Sequence, residues 1–145
     1  MVKQIGGKMD IYNKEPIEVL VDLTKDLMFD SNGKVLKNGI PIYKETMHEE
    51  AKDIPQSYIL LRSQITDTSE IHGDGKSLVR DADCDIILVT KGYADDTNDL
   101  HNINKKKIKN HLKSQDIEFQ EFNLGYDDAI KSTQHTFSVG VKYLG

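Results

Sequence analysis

Residues 133–144, TQHTFSVGVKYL, alternate without a break: His135, Phe137, Val139, Val141 and Tyr143 fall on one side, and Thr136, Ser138, Gly140 and Lys142 on the other. Successive side chains of a strand point to opposite faces, so strict period two marks a sheet with one buried face. Such a strand needs a second layer to cover its buried face.

Two segments can supply the layer. PIEVLVDLTKDLM, residues 16–28, places Ile17, Leu20, Leu23 (or Thr24) and Leu27 on one helical stripe, widened by Val21 and Met28. Pro16 suits the first helical position, where its missing N–H costs nothing. Glu15 and Glu18 lie at the positive end of the helix dipole. Ser31-Asn32-Gly33 is the expected stop, with Gly33 in the left-handed cap. The second helix is expected after a turn at 92–96, capped by Thr97 or Asn98. It carries Leu100, Ile103, Ile108 and Leu112 on its apolar side, with Lys107 and His111 at the margin. Lys105, Lys106, Lys107 and Lys109 crowd its later half and read as a solvated face suited to the negative end of the dipole.

Further strands fill the gaps. Ile40 and Ile42 alternate with polar residues around 41–45, and Pro41 makes this an edge strand or a strand start. Residues 57–66 and 78–91 read as two long strands joined by a polar loop, 67–76, that holds Gly73 and Gly75. The charged early part of the second, residues 80–85, is expected to project beyond the core. Residues 117–122 alternate again, and 125–131 reads as a turn. The order is helix, strand, strand, strand, helix, strand, strand. The fold class is therefore α+β: a four- to five-stranded, mostly antiparallel sheet with two amphipathic helices on one face and a long β-hairpin. Residues 1–13 read as an arm, interrupted by Gly6-Gly7, with only Ile11 and Tyr12 as anchors.

The chain has 145 residues, within the range of one domain. It has one cysteine, Cys84, so no internal disulfide is available. The opening MVKQIGGKMD lacks the apolar core of a secretory signal. No stretch approaches the ~18 apolar residues of a membrane span, so synthesis in the cytoplasm is expected. A net charge of −5 is a poor basis for gripping nucleic acid.

Candidate chemistry is sparse. Asp81, Asp83 and Asp85 share one strand face, and two such carboxylates could hold Mg²⁺ for phosphoryl transfer. Asp83-Cys84-Asp85 before an apolar strand distantly resembles a nucleotidyltransferase, but the Gly-Ser turn such enzymes place upstream is absent. The competing reading is the solvated end of a hairpin. Gly73-Asp74-Gly75-Lys76-Ser77 ends like a phosphate-binding loop, yet precedes a strand where that motif must open a helix. The five histidines, His48, His72, His101, His111 and His135, show no zinc spacing. No catalytic, metal or cofactor set is assigned.

With these elements in order, the chain resembles the tail terminator (tail completion) and neck proteins of long-tailed bacteriophages. Four features carry the resemblance: the size; the helix PIEVLVDLTKDLM after a short arm; the pair 55–61 and 83–90 about a polar hairpin tip; and the helix after Asp95-Asp96-Thr97-Asn98, with two closing strands ending in Val139-Gly140-Val141-Lys142-Tyr143. The resemblance implies a structural virion protein and not an enzyme. It would form a ring, hexameric by analogy, that caps the tail tube, halts its growth and joins the head connector or stopper. DNA would pass through without specific binding. A head-completion or stopper protein of the same neck is the near alternative. A metal-dependent nucleotidyl or phosphoryl transferase using Asp83 and Asp85 is the distant one. Contacts between ring subunits and with partners are expected on the hairpin tip, Ser69, Glu70, Ile71, His72, Gly73, Asp74 and Gly75, and on the anchors Ile11 and Tyr12. Unpaired strand edges could also extend sheets between subunits.

Overall fold

The structure, a computed structural model, describes residues 11–44, 54–72, 77–92 and 99–144. In chain order the elements are β1 (Ile11–Tyr12), α1 (Pro16–Thr24) with a 3-10 turn (Lys25–Leu27), β2 (Ile42–Lys44), β3 (Ser57–His72), β4 (Ser77–Lys91), α2 (Leu100–Ser114), β5 (Gln120–Asp127) and β6 (Ser132–Leu144). The strands form one mixed sheet in the order β1-β6-β4-β3-β2, and β5 also pairs with β6. The ladders β3–β4, β4–β6 and β5–β6 are antiparallel; β1–β6 and β2–β3 are parallel. The α+β class and the largely antiparallel sheet are as expected. The strand beyond the expected four or five is the two-residue β1, too short for any periodic signal.

The period of two places the core. Ile59 and Leu61 on β3, Ala82, Cys84, Ile86 and Leu88 on β4, and Phe137, Val139, Val141 and Tyr143 on β6 point to one face and are buried. Val19 and Leu20 of α1 and Ile108 and Leu112 of α2 join the same cluster, so both helices cover this inner face. Removing such residues from water at about 25 cal/mol per Å² is the main force holding the layers together.

Several boundaries differ from expectation. Helix α1 ends at Thr24, not near Ser31, and continues only as the 3-10 turn. The cause is local: Asp30 Oδ1 accepts the backbone N–H groups of Asn32 and Lys34, closing a small hairpin in which Phe29 bridges Val35. Gly33, at φ 79°, serves that turn and donates its N–H to the Asp30 carbonyl. Thr24 takes the inward place offered to Leu23 or Thr24, bonding its hydroxyl to the Leu20 carbonyl at 2.8 Å. Helix α2 is capped by Asp99, whose carboxylate accepts the His101 N–H, and not by Thr97 or Asn98. Strand β5 runs on to Asp127, three residues into the stretch expected to turn, because Gly125 at φ 69° takes up a bulge between Asn123 and Gly125; residues 128–131 make the turn.

The polar segment expected as a loop from residue 67 is paired. Strand β3 runs to His72 and β4 starts at Ser77. The register instead jumps between Ile65, opposite Ala82, and Ser69, opposite Arg80. Nor do residues 80–85 project beyond the core. Strand β6 follows β4 out to the pair Val79–Leu144, and Ala82 and Cys84 are fully buried. The charges and the small apolar residues simply alternate, so the aspartates face away from the helices.

Candidate functional site: sheet edges and a buried polar cluster

The residues expected at an interface fall at one end of the sheet. Ile11 and Tyr12 pair with Lys142 and Tyr143 of the same chain. Tyr143 pairs onward with Arg80, and Arg80 with Ser69. One rung of the sheet therefore joins Tyr12 to the base of the long hairpin. Within it Glu70, Ile71 and His72 pair with Val79, Leu78 and Ser77. Only the last two of these pairs lie beyond the end of β6. Gly73, Asp74 and Gly75 lie outside the described residues, as does most of the arm.

The three aspartates stand on the outer face, as the alternation requires. Asp81 meets Lys142 at 3.4 Å and Asp85 meets Arg62 at 3.8 Å, both across neighbouring strands. Exposed cross-strand ion pairs of this kind contribute roughly 0.2–1 kcal/mol and set register. Among the described residues no group of three or more His, Cys, Asp or Glu is arranged to hold a metal ion. The lysines of α2 are partly engaged: Lys109 binds Glu121 at 2.9 Å and Lys107 donates to the Asn38 carbonyl.

A second cluster is buried where the sheet meets the start of α2. Asn104 Nδ2 donates to Ser57 Oγ (2.9 Å), Ser57 Oγ lies 2.8 Å from Thr90 Oγ1, and Thr90 Oγ1 lies 2.8 Å from His101 Nδ1. All four residues are buried. Ser57 and Thr90 are directly opposed on β3 and β4, which brings their hydroxyls together. Passing protons along from Asn104 to His101 satisfies every link when the imidazole is neutral and accepts at Nδ1. Burial pushes the His101 pKa down, Lys105 adds to this, and Asp99 opposes it.

His135 lies on the adjacent β6. Its Nε2 is 3.1 Å from Glu121 Oε1, and its ring meets Phe137 edge-on at 4.9 Å. Burial is again the leading cause lowering its pKa, partly offset by Glu121. Lys109 holds the Glu121 carboxylate below its usual range. In the neutral ring the Nε2–H donates to Glu121, leaving Nδ1 as a buried acceptor with no partner among the described residues.

Sequence reasoning expected Leu100 and Ile103 on the inner side of α2. They are 43% and 44% exposed, and the polar His101 and Asn104 take their place. The signal was available: counting back from Leu112 and Ile108 in steps of four and then three gives 104 and 101, not 103 and 100. An apolar count favoured the wrong phase because the buried residues there are polar.

The outer face carries its own apolar strip. Tyr43 of β2 meets Tyr58 of β3 edge-on at 5.8 Å. Leu60, Ile87 and Val89 continue it across β3 and β4; Thr136 of β6 interrupts it, and Phe122 of β5, 49% exposed, lies beyond. Comparison of the chain with protein-family models, curated proteins and solved structures gave no match. No helix among the described residues is long and apolar enough to cross a membrane.

Proposed function

We propose that the chain is a structural protein of a long-tailed phage virion: a tail terminator that assembles as a ring, caps the tail tube and joins it to the head connector. The observation that carries this reading is the arrangement of elements. Two helices share one sheet face, and a long central hairpin runs two pairs past the end of β6, which lies between it and the docked strand β1. That combination of a packed body and an extended sheet end suits a subunit that reaches neighbours. The outer-face aspartates would suit a surface past which DNA moves without being held. On this reading the partners are further copies of the chain, the tail tube protein and the connector or stopper. The protein would be made in the host cytoplasm and reside in the tail or neck of the virion.

The register supplies a clean test. Ser69 and Arg80 are opposed, so residues 70–79 can be replaced by Asn-Gly, the preferred two-residue hairpin turn. The shortened protein should keep its far-UV circular dichroism and a cooperative melt. In tail assembly it should give overlong tails that fail to join heads. Tails of normal length that join heads would refute the assignment. Normal tails with heads that lose their DNA would favour a stopper instead.

A further inference from the structure

The two outer strands of the sheet lie at the same height. Tyr43 of β2 pairs with Leu60, Leu60 with Ile87, Ile87 with Thr136, and Thr136 with Phe122 of β5. The neighbouring rungs run from Ile42 through Ile59, Leu88 and His135 to Asn123, and from Lys44 through Leu61, Ile86 and Phe137 to Glu121. All three residues of β2 thus share rungs with three consecutive residues of β5. Among the described residues neither strand has another on its outer side. The short β1 occupies the β5 side of β6 only at Lys142 and Tyr143, clear of these rungs.

Strand directions complete the match. β2 runs with β3, and each step across β4, β6 and β5 reverses direction, so β5 runs opposite to β2. A second copy set beside the first in the same orientation would therefore bring β5 of one against β2 of the other as an antiparallel pair. Such a contact is heterologous, and each copy keeps one free edge for the next. The side chains agree with the backbone. Tyr43 and Phe122 both lie on the outer face and would meet as an aromatic cross-strand pair. Lys44 and Glu121 both lie on the inner face. β5 carries Glu121 and Asp127 and no cation, while β2 carries Lys44 and no anion.

We infer that β2 and β5 are the two halves of a head-to-tail contact between copies of this chain, with Tyr43 against Phe122 and Lys44 against Glu121. The contact is argued from register alone; its closure into a ring rests on the function proposed above.

The test is a disulfide across the contact. Within one chain Tyr43 and Phe122 are four strand spacings apart, ~19 Å. A disulfide spans a Cα separation of at most ~7 Å, so the double variant Tyr43→Cys/Phe122→Cys cannot bridge internally. Under mild oxidation at high protein concentration it should give a ladder of multimers that reductant collapses to monomer. Each single variant should stay monomeric. Tyr43→Cys/Asp128→Cys, off the rung, measures collision alone and should give at least tenfold less ladder. Ile42→Cys/Asn123→Cys reports on the next rung and stands in if the first pair fails to fold. Monomer alone from a folded pair would overturn the inference. So would a ladder no stronger than the off-rung control, or single variants that dimerise as readily as the double. If tails are terminated but no ladder forms, the edge contact falls by itself. If the ladder forms but tails are not terminated, the function proposed above falls and the contact stands.

Discussion

Four buried polar residues, Ser57, Thr90, His101 and Asn104, stand where apolar side chains would have packed more simply. Their hydroxyl, amide and imidazole groups satisfy one another at 2.8–2.9 Å. A buried polar chain of this kind is stable only when complete, because each orphaned group forfeits its hydration without a replacement bond. Thr90 is one of the two inner links, between Ser57 and His101. Thr90→Val keeps the shape and removes the hydroxyl, leaving His101 Nδ1 without its partner. We expect this change to cost about 1–3 kcal/mol, read as a lower urea midpoint at unchanged slope. These residues are individually visible in the sequence, but their meeting is not. It depends on the pairing of Ser57 with Thr90 and on the phase of α2, and the second was misjudged through the attraction of Leu100 and Ile103.

At the scale of elements, Glu121 fastens three of them. One carboxylate oxygen takes Lys109 of α2 and the other faces His135 of β6, while Glu121 itself belongs to β5. The groups facing this junction are His101, Lys105 and Lys109 from α2, Asp99 at its cap, Glu121 from β5 and His135 from β6. Both histidines have folded pKa values below the ordinary 6.5, chiefly through burial. The unfolded chain therefore takes up protons near pH 6.5 that the folded chain resists. Stability from this source is complete above that pH and is lost as pH falls toward the depressed folded values. Glu121 behaves as an acid stabilised by Lys109, and its share is lost only below about its ordinary 4.5. Unfolding free energy should thus decline from pH 7 to 5, before most carboxylates titrate. Replacing both His101 and His135 with Gln should flatten that slope in urea titrations at successive pH values. The elements themselves were largely legible. Period two gave β6, residues 57–66 and 78–91 were legible as two long strands about a polar loop, and Pro16 gave the start of α1. The ends were not, because Asp30, Asp99 and Gly125 settle them through single hydrogen bonds and a bulge that no periodic pattern records.

Across the whole molecule, β4 is the axis. It is bonded on both sides through most of its length, and its inner residues touch the core between both helices. Its text, in which aspartates alternate with Ala82, Cys84 and Ile86, reads as a projecting acidic arm until the pairing with β6 is known. That pairing joins strands far apart in sequence and is the part of the fold least visible in any local window. The edges were visible only as a general expectation, since which residues share a rung emerges from four successive registers. One consequence of this layout concerns Cys84. It sits at the centre of β4, fully buried, and is the only thiol in the chain. Its side chain lies on the inner face beneath the two helices, so a reagent such as a disulfide dye can reach it only when the helix layer parts from the sheet. Its modification should therefore be slow and, in the limit of slow reclosing, independent of reagent concentration, with a rate equal to that of global unfolding from stopped-flow denaturation. Labelling that is fast and first order in reagent would show that the helices lift from the sheet locally. The native protein thus carries its own stopwatch for the parting of its two layers.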